Sequence, residues 1–175
     1  ILSGSSTDKQ AELSADRLFS RFPDVSAVSK ATEEEIFSFI SSVSYPNAKA
    51  HHLREMAAMM QREYDGIVPD SREALLALPG VGRKTANVVL AVWFHQPSMP
   101  VDTHVFRVSN RIGLVSGVKT PLDCEKALMR HIPLEMCADA HHWLLLHGRY
   151  TCLARKPLCD KCEIKTFCKT YAKTI

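Results

Sequence analysis

The chain has 175 residues, 46% hydrophobic and 23% charged, with 7 Gly and 9 Pro; so apolar a composition excludes a solvated coil and fits one globular unit or two small ones. Its longest apolar runs, such as residues 88–94, fall far short of the ~20 residues a bilayer span requires. Lys plus Arg (22) exceed Asp plus Glu (19) by only 3, so any affinity for a polyanion depends on where the cations sit.

The sequence opens at Ile1, not Met, inside an apolar stretch already under way, as expected of a fragment, a processed form or a chain with further N-terminal residues. Helical periodicity dominates and no alternating strand pattern competes with it, which predicts an all-α protein. Thr7-Asp8 opens a helix running to Phe22, before Pro23. Thr32 with Glu35 forms a capping box for a helix that carries Ile36, Phe39 and Ile40 on one face. Pro46 or Asn47 starts a longer helix to about Tyr64, with Leu53, Met56, Ala57 and Met60 as its inward stripe. Asp70 with Glu73 reads as another capping box, followed by Leu75, Leu76 and Leu78.

After the break at Pro79-Gly80-Val81-Gly82, a helix is expected from Arg83 to about Phe94. The stretch His95-Gln96-Pro97-Ser98-Met99-Pro100 holds two prolines and no periodicity and reads as a linker, dividing the chain into domains 1–96 and 97–175. Asp102 or Thr103 caps the next helix, whose apolar face is Val105, Val108 and Ile112. Thr120-Pro121 with Asp123 opens another, and a last long helix begins near Pro133 and ends at Gly148.

Four cysteines crowd the tail, Cys152, Cys159, Cys162 and Cys168, spaced C-x6-C-x2-C-x5-C. Only Asp160 and Lys161 separate Cys159 from Cys162, a spacing that suits a shared metal centre better than disulfides. Four thiolates on short loops can hold zinc or an iron–sulfur cluster, and spacing alone does not choose. Cys124 and Cys137 stand apart in helical surroundings and read as buried apolar fillers.

The turn Leu78-Pro79-Gly80-Val81-Gly82-Arg83-Lys84-Thr85 joins two helices (about 71–94). Glycine admits positive φ and a close approach to backbone, and the N–H groups at the following helix start suit a phosphate. Arg83 and Lys84 oppose the positive end of that helix dipole, so a purely structural helix would carry Asp or Glu there; a locally unfavourable pair points to function. Asp102 alone would read as a plain cap. His51-His52 and His141-His142 are not ligand pairs, because neighbours on a helix point about 100° apart. Arg107 and Arg111 fall on a polar helix side and read as solvated, and Met56, Met59 and Met60 as core.

LPGVGRKTA, then VDTH, then HHWLLLHGRYTC with the cysteine tail, occurring in this order over residues 7–168, resembles the endonuclease III family of helix-hairpin-helix DNA glycosylases. The resemblance implies two helical domains flanking a cleft, with a C-terminal iron–sulfur loop. It also implies base excision repair: release of oxidised pyrimidines from double-stranded DNA and lyase action at abasic sites, by a monomer in the bacterial cytoplasm at the nucleoid. Lys84 then corresponds to the nucleophile and Asp102 to the catalytic carboxylate. A helix N-terminus and the adjacent Arg83 would favour the neutral amine that such attack needs.

By the same resemblance, Gly80, Val81, Gly82, Arg83 and Thr85 contact DNA, with His104 beside Asp102 a further site residue. Tyr45, with Asn47 in the loop Ser44-Tyr45-Pro46-Asn47, is the wedge that fills the stack when the target nucleotide leaves it. Ser5 stands where the family's second filler is a glutamine. Cys152, Cys159, Cys162 and Cys168 hold a [4Fe–4S] cluster, and the loop between the first two presents Arg155 and Lys156 to the backbone phosphates. The family's N-terminal helix, packed against the cluster domain, lies outside these residues. A monofunctional adenine-mismatch enzyme is disfavoured, since those relatives lack a lysine at this place. A non-catalytic DNA-binding module with a structural metal is the alternative.

Overall fold

The computed structural model describes residues 1–173, and all regular structure among them is helical. Two compact units emerge, Ile1–Gly82 and the residues from Arg83 onward. In the first, α1 (Asp8–Arg21) and α3 (Glu33–Ile40) start at true capping boxes, Thr7 with Gln10 and Thr32 with Glu35. Between them lies α2 (Val25–Lys30), too short to show a period in sequence and nucleated by Asp24, whose carboxylate accepts from Ala27 N at 2.7 Å. The longest helix, α4 (Pro46–Tyr64), packs on α2 and α3, and α5 (Arg72–Ala77) follows. Ser71, not Asp70, caps α5, by accepting from Ala74 N at 3.2 Å. Leu18, Ile36, Ile40, Ala50, Leu53 and Ala57 belong to the core, and the side chains of Ile1 and Leu2 pack against it.

The second unit comprises α6 (Arg83–Val92), α7 (Thr103–Ile112), α8 (Pro121–His131) and α9 (Cys137–Tyr150), with short 3-10 turns before and after α9. Val105, Val108, Cys124, Leu128, Cys137 and Leu144 fill its core, as expected for the two isolated cysteines. Burial pushes both thiols above the usual range.

Two sequence expectations change here. Gly148 does not end the last helix but lies inside α9, where α7 crosses it: a Cβ there would stand 2.9 Å from His104 Cβ and 3.0 Å from Val108 Cγ2. The stretch read as a linker is buried over its second half: His95, Gln96 and Pro97 are exposed, whereas Ser98, Met99 and Pro100 are buried within this unit. Ser98 and Met99 are inaccessible, Ser98 Oγ donates to Asn87 O at 2.7 Å, and His141 Nδ1 donates to Pro100 O at 2.8 Å. Its prolines break helix periodicity without making it a spacer, so α6 groups with the residues after it and the compact units divide at Gly82.

Candidate active site and metal centre

The turn before α6 uses its glycines differently. Gly80 has φ +75°, and a Cβ on it would lie 2.7 Å from His52 Cβ, so both the left-handed backbone and the close packing exclude a side chain. Gly82 is exposed, and nothing lies within 4 Å of where its Cβ would be. Open space at the start of a ten-residue helix is what an approaching phosphate requires. Val81 and Thr85 are half-buried on either side.

Of the two cations at this helix start, only Lys84 is exposed. Arg83 donates from Nε and Nη2 to the two carboxylate oxygens of Glu125, both at 2.8 Å, and Glu125 is 3% exposed. These hydrogen bonds hold the guanidinium above its ordinary range. A carboxylate out of water is matched by this fork-shaped partner, so the Arg83 guanidinium is committed to Glu125. The charge that was to act on Lys84 is thereby matched by an opposite one.

Asp102 caps α7 through Oδ1, which accepts from Val105 N at 2.8 Å, and the residue remains half-buried. Lys84 and Asp102 belong to the same unit. His141, set aside in sequence as one of a pair, reaches both electrostatically. It is buried, and burial pushes its imidazole below the ordinary range; the Pro100 hydrogen bond and the Asp102 carboxylate oppose that, and Lys84 reinforces it. A carbonyl can only accept, so Nδ1 carries the proton and Nε2 the lone pair of the neutral ring. The signal was available: Cys137, Ala140, His141, Leu144 and Gly148 form one inward stripe of α9.

Arg107 and Arg111 are not solvated, contrary to expectation. Arg107 donates to Gly148 O at 2.7 Å, Cys152 O at 3.1 Å and His104 Nδ1 at 3.2 Å. Since guanidinium has no acceptor, His104 accepts at Nδ1 and keeps its proton on Nε2, free to donate outward. Arg111 donates to Leu153 O at 2.6 Å and Ala154 O at 2.9 Å. Arg155 and Lys156 therefore project from a loop whose root is fixed by α7; both are exposed, and Lys156 has φ +51°.

Cys152, Cys159, Cys162 and Cys168 line one recess with Ile112, His147 and Pro157, and all four are free thiols. Among the described residues no three Cys, His, Asp or Glu side chains converge as a single ion would require. Four cysteine thiols lining one recess are a donor set able to hold a metal centre. Backbone bonds from Lys169 N to Ile112 O and Thr170 N to Arg111 O close the tail on α7.

In the first unit Tyr45 is 74% exposed with φ +55°, at a helix start that has no side-chain cap; Asn47, also exposed, follows it, and Ser5 has φ +56°. The wedge expected at Tyr45 thus stands in solvent and is not a buried turn residue.

The pattern described as HhH-GPD superfamily base excision DNA repair protein matches residues 1–134. The chain is 45% identical over 171 residues to endonuclease III of Rickettsia conorii, covering 98% of this chain and 81% of the relative. Against endonuclease III of Escherichia coli strain K12 the identity is 40% over 173 residues, covering 99% and 82%. Among solved structures, a trapped endonuclease III–DNA covalent intermediate superposes with a TM-score of 0.93 at 38% identity, covering 99% of this chain and 81% of that one. A thermostable thymine-DNA glycosylase superposes at 0.90 with 28% identity, covering 98% and 81%. No helix among the described residues is long and apolar enough to cross a membrane. The family pattern over residues 1–134 and these identities over nearly the whole chain place it in the endonuclease III family of the HhH-GPD superfamily.

Proposed function

We propose that this protein is a base-excision-repair DNA glycosylase with abasic-site lyase activity, acting as a monomer on oxidised pyrimidines in double-stranded DNA. The observation that carries the reading is Lys84, exposed on the first turn of α6 beside the open face of Gly82, in one unit with Asp102. The neutral amine attacks C1′ of an extruded nucleotide: the nitrogen–C1′ bond forms, and the bond from C1′ to the base breaks with its electron pair going to the departing base, which takes up a proton. Opening of the sugar leaves a protonated imine. Loss of the C2′ proton then sends electrons toward C3′ and expels the 3′-phosphate, which nicks the strand. Asp102, at the α7 start, offsets positive charge on the sugar or accepts the amine proton.

Backbone N–H groups of the Gly80 to Thr85 turn, His104 Nε2–H, and the Arg155 and Lys156 side chains serve as phosphate contacts that position the duplex without reading its sequence. Tyr45, with Asn47 beside it, enters the gap left by the extruded nucleotide. Cys152, Cys159, Cys162 and Cys168 would hold a [4Fe–4S] cluster, whose thiolate bonds cross-link the tail to the end of α9. Iron and sulfide analysis with a visible spectrum tests this, and a colourless zinc protein would overturn it. The location proposed is the bacterial cytoplasm, at the nucleoid.

The decisive experiment is borohydride trapping on duplex DNA carrying an abasic site. The native chain is expected to form a covalent adduct, and Lys84→Ala to lower adduct formation by at least about 10³-fold. Tight binding by the native chain without any adduct would refute the enzymatic reading.

A further inference from the structure

Lys49, on the inward side of α4, is 7% exposed, and among the described residues none of its side-chain hydrogen bonds goes to a carboxylate. Its ammonium donates instead to Leu2 O at 2.8 Å, Gly4 O at 2.6 Å and Ser6 Oγ at 2.9 Å. Three acceptors meet three N–H bonds, so the charged form is fully used, although burial pushes the group below the ordinary lysine range. The same residue's backbone N–H donates to Tyr45 O at 3.1 Å. A second link runs alongside: Ser44 N donates to Ser6 Oγ at 2.9 Å, and Ser44 Oγ to Ser5 O at 2.7 Å.

These bonds gather two loops about 40 residues apart in the first unit's sequence, and each loop bears one exposed residue in left-handed backbone, Ser5 and Tyr45. Left-handed backbone at a non-glycine residue is unfavourable and persists only where its surroundings over-determine it. An exposed aromatic ring gains little from burial to offset that. The clamp supplies the offset, since hydrogen bonds from a charged donor are the stronger class.

We infer that Lys49 is a positioning residue: it clamps the Ile1–Ser6 loop to the start of α4 so that Ser5 and Tyr45 are presented together to the gap in a duplex from which a nucleotide has been extruded. This rests on the glycosylase reading above and extends it to a residue that touches neither DNA nor the reacting sugar. Its signature is selective. A single-stranded abasic site has no stack to hold open, so attack by Lys84 there does not need the clamp, whereas a duplex lesion does.

The test compares the native chain, Lys49→Met and Ser44→Ala in three measurements: trapping on a single-stranded abasic oligonucleotide, incision of a duplex lesion, and fluorescence of 2-aminopurine placed beside the lesion. In Lys49→Met duplex incision is expected to fall by about 10²-fold, in kcat more than in KM, the scale that a misplacement near 1 Å produces. Its fluorescence rise on binding shrinks, and single-strand trapping stays within about twofold. Ser44→Ala removes one exposed hydrogen bond and leaves the core untouched; it moves duplex incision and fluorescence the same way, by less. Should Lys49→Met not fold, as a thermal melt would reveal, Ser44→Ala decides. A Ser44→Ala protein with native fluorescence and native duplex incision overturns the clamp, as does a folded Lys49→Met that loses activity equally on both substrates. A native chain that forms no adduct on either substrate overturns the enzymatic reading itself, and the clamp with it.

Discussion

The loop at residues 1–6 in the first unit and the loop at 152–158 in the second pose the same physical problem, irregular backbone whose carbonyls lack helical partners. Each is solved by a basic side chain from a helix, but with different donors. The first is gathered by one lysine, a compact point charge that meets three oxygens. The second is gathered by the planar forks of Arg107 and Arg111, which take the carbonyls of Cys152, Leu153 and Ala154. A fork dictates direction as well as distance, whereas an ammonium dictates distance alone. The loop at 152–158 is therefore held in one orientation, and the loop at 1–6 is held near its place with more latitude. Arg83 supplies the contrast: it pairs with a carboxylate, and what it fixes is a regular helix start.

The largest effect expected from breaking this comparison is at Arg111. Arg111→Ala strands the Leu153 carbonyl at the root of this loop and is expected to destabilise the second unit by about 2–4 kcal/mol: a part-buried bond to a charged donor contributes roughly 1.5–3 kcal/mol, and the exposed bond to Ala154 O adds less. Denaturant unfolding measures the loss, and Arg111→Lys should restore less than half of it. Full restoration by lysine would erase the distinction between fork and point charge.

A smaller effect is expected at the ion pair. Arg83→Met leaves Glu125 buried and unpaired, at a cost of about 2–3 kcal/mol, below the upper range for buried pairs because the arginine side chain is 38% exposed. Arg83→Met with Glu125→Met should recover most of that loss. A double variant no more stable than the single would mean that the pair fixes the helix start by more than mutual neutralisation.

The smallest effect concerns pH. His141 is held neutral by burial, its folded-state pKa below the ordinary imidazole value of 6.5. Between those two pKa values the unfolded chain binds more protons, so stability rises with pH through this window and falls on acidification below 6.5. In His141→Gln the acid limb of unfolding free energy against pH should be shallower than in the native chain. An unchanged slope would place the proton uptake elsewhere, with His147, also lowered by burial, next in line.

Much of the helical framework was legible because its signals are local. Capping at Thr7, Thr32, Asp102 and Thr120 acts within three residues of each cap and needs no tertiary partner. The catalytic candidates were legible as a resemblance, on Lys84 following the glycine turn and Asp102 opening α7. Where local signals were weak or ambiguous, the reading slipped: α2 was too short to show a period, Ser71 and Asp70 compete for one cap, and proline gave no sign that Ser98, Met99 and Pro100 are buried.

What sequence alone determined, then, is the placement of helices, the inward stripes and the order of the chemical groups, all set by interactions over a few residues. Tertiary structure decided which polar groups are committed and which are free. Arg83 met Glu125 from 42 residues away, Arg111 met Leu153 from 42 away, Lys49 met Leu2 from 47 away, and Gly148 met His104 across a helix crossing. The physical reason is that a long polar side chain has no preferred partner until folding removes water from around it. It then bonds to whichever carbonyl or carboxylate the packing of apolar faces has brought within reach.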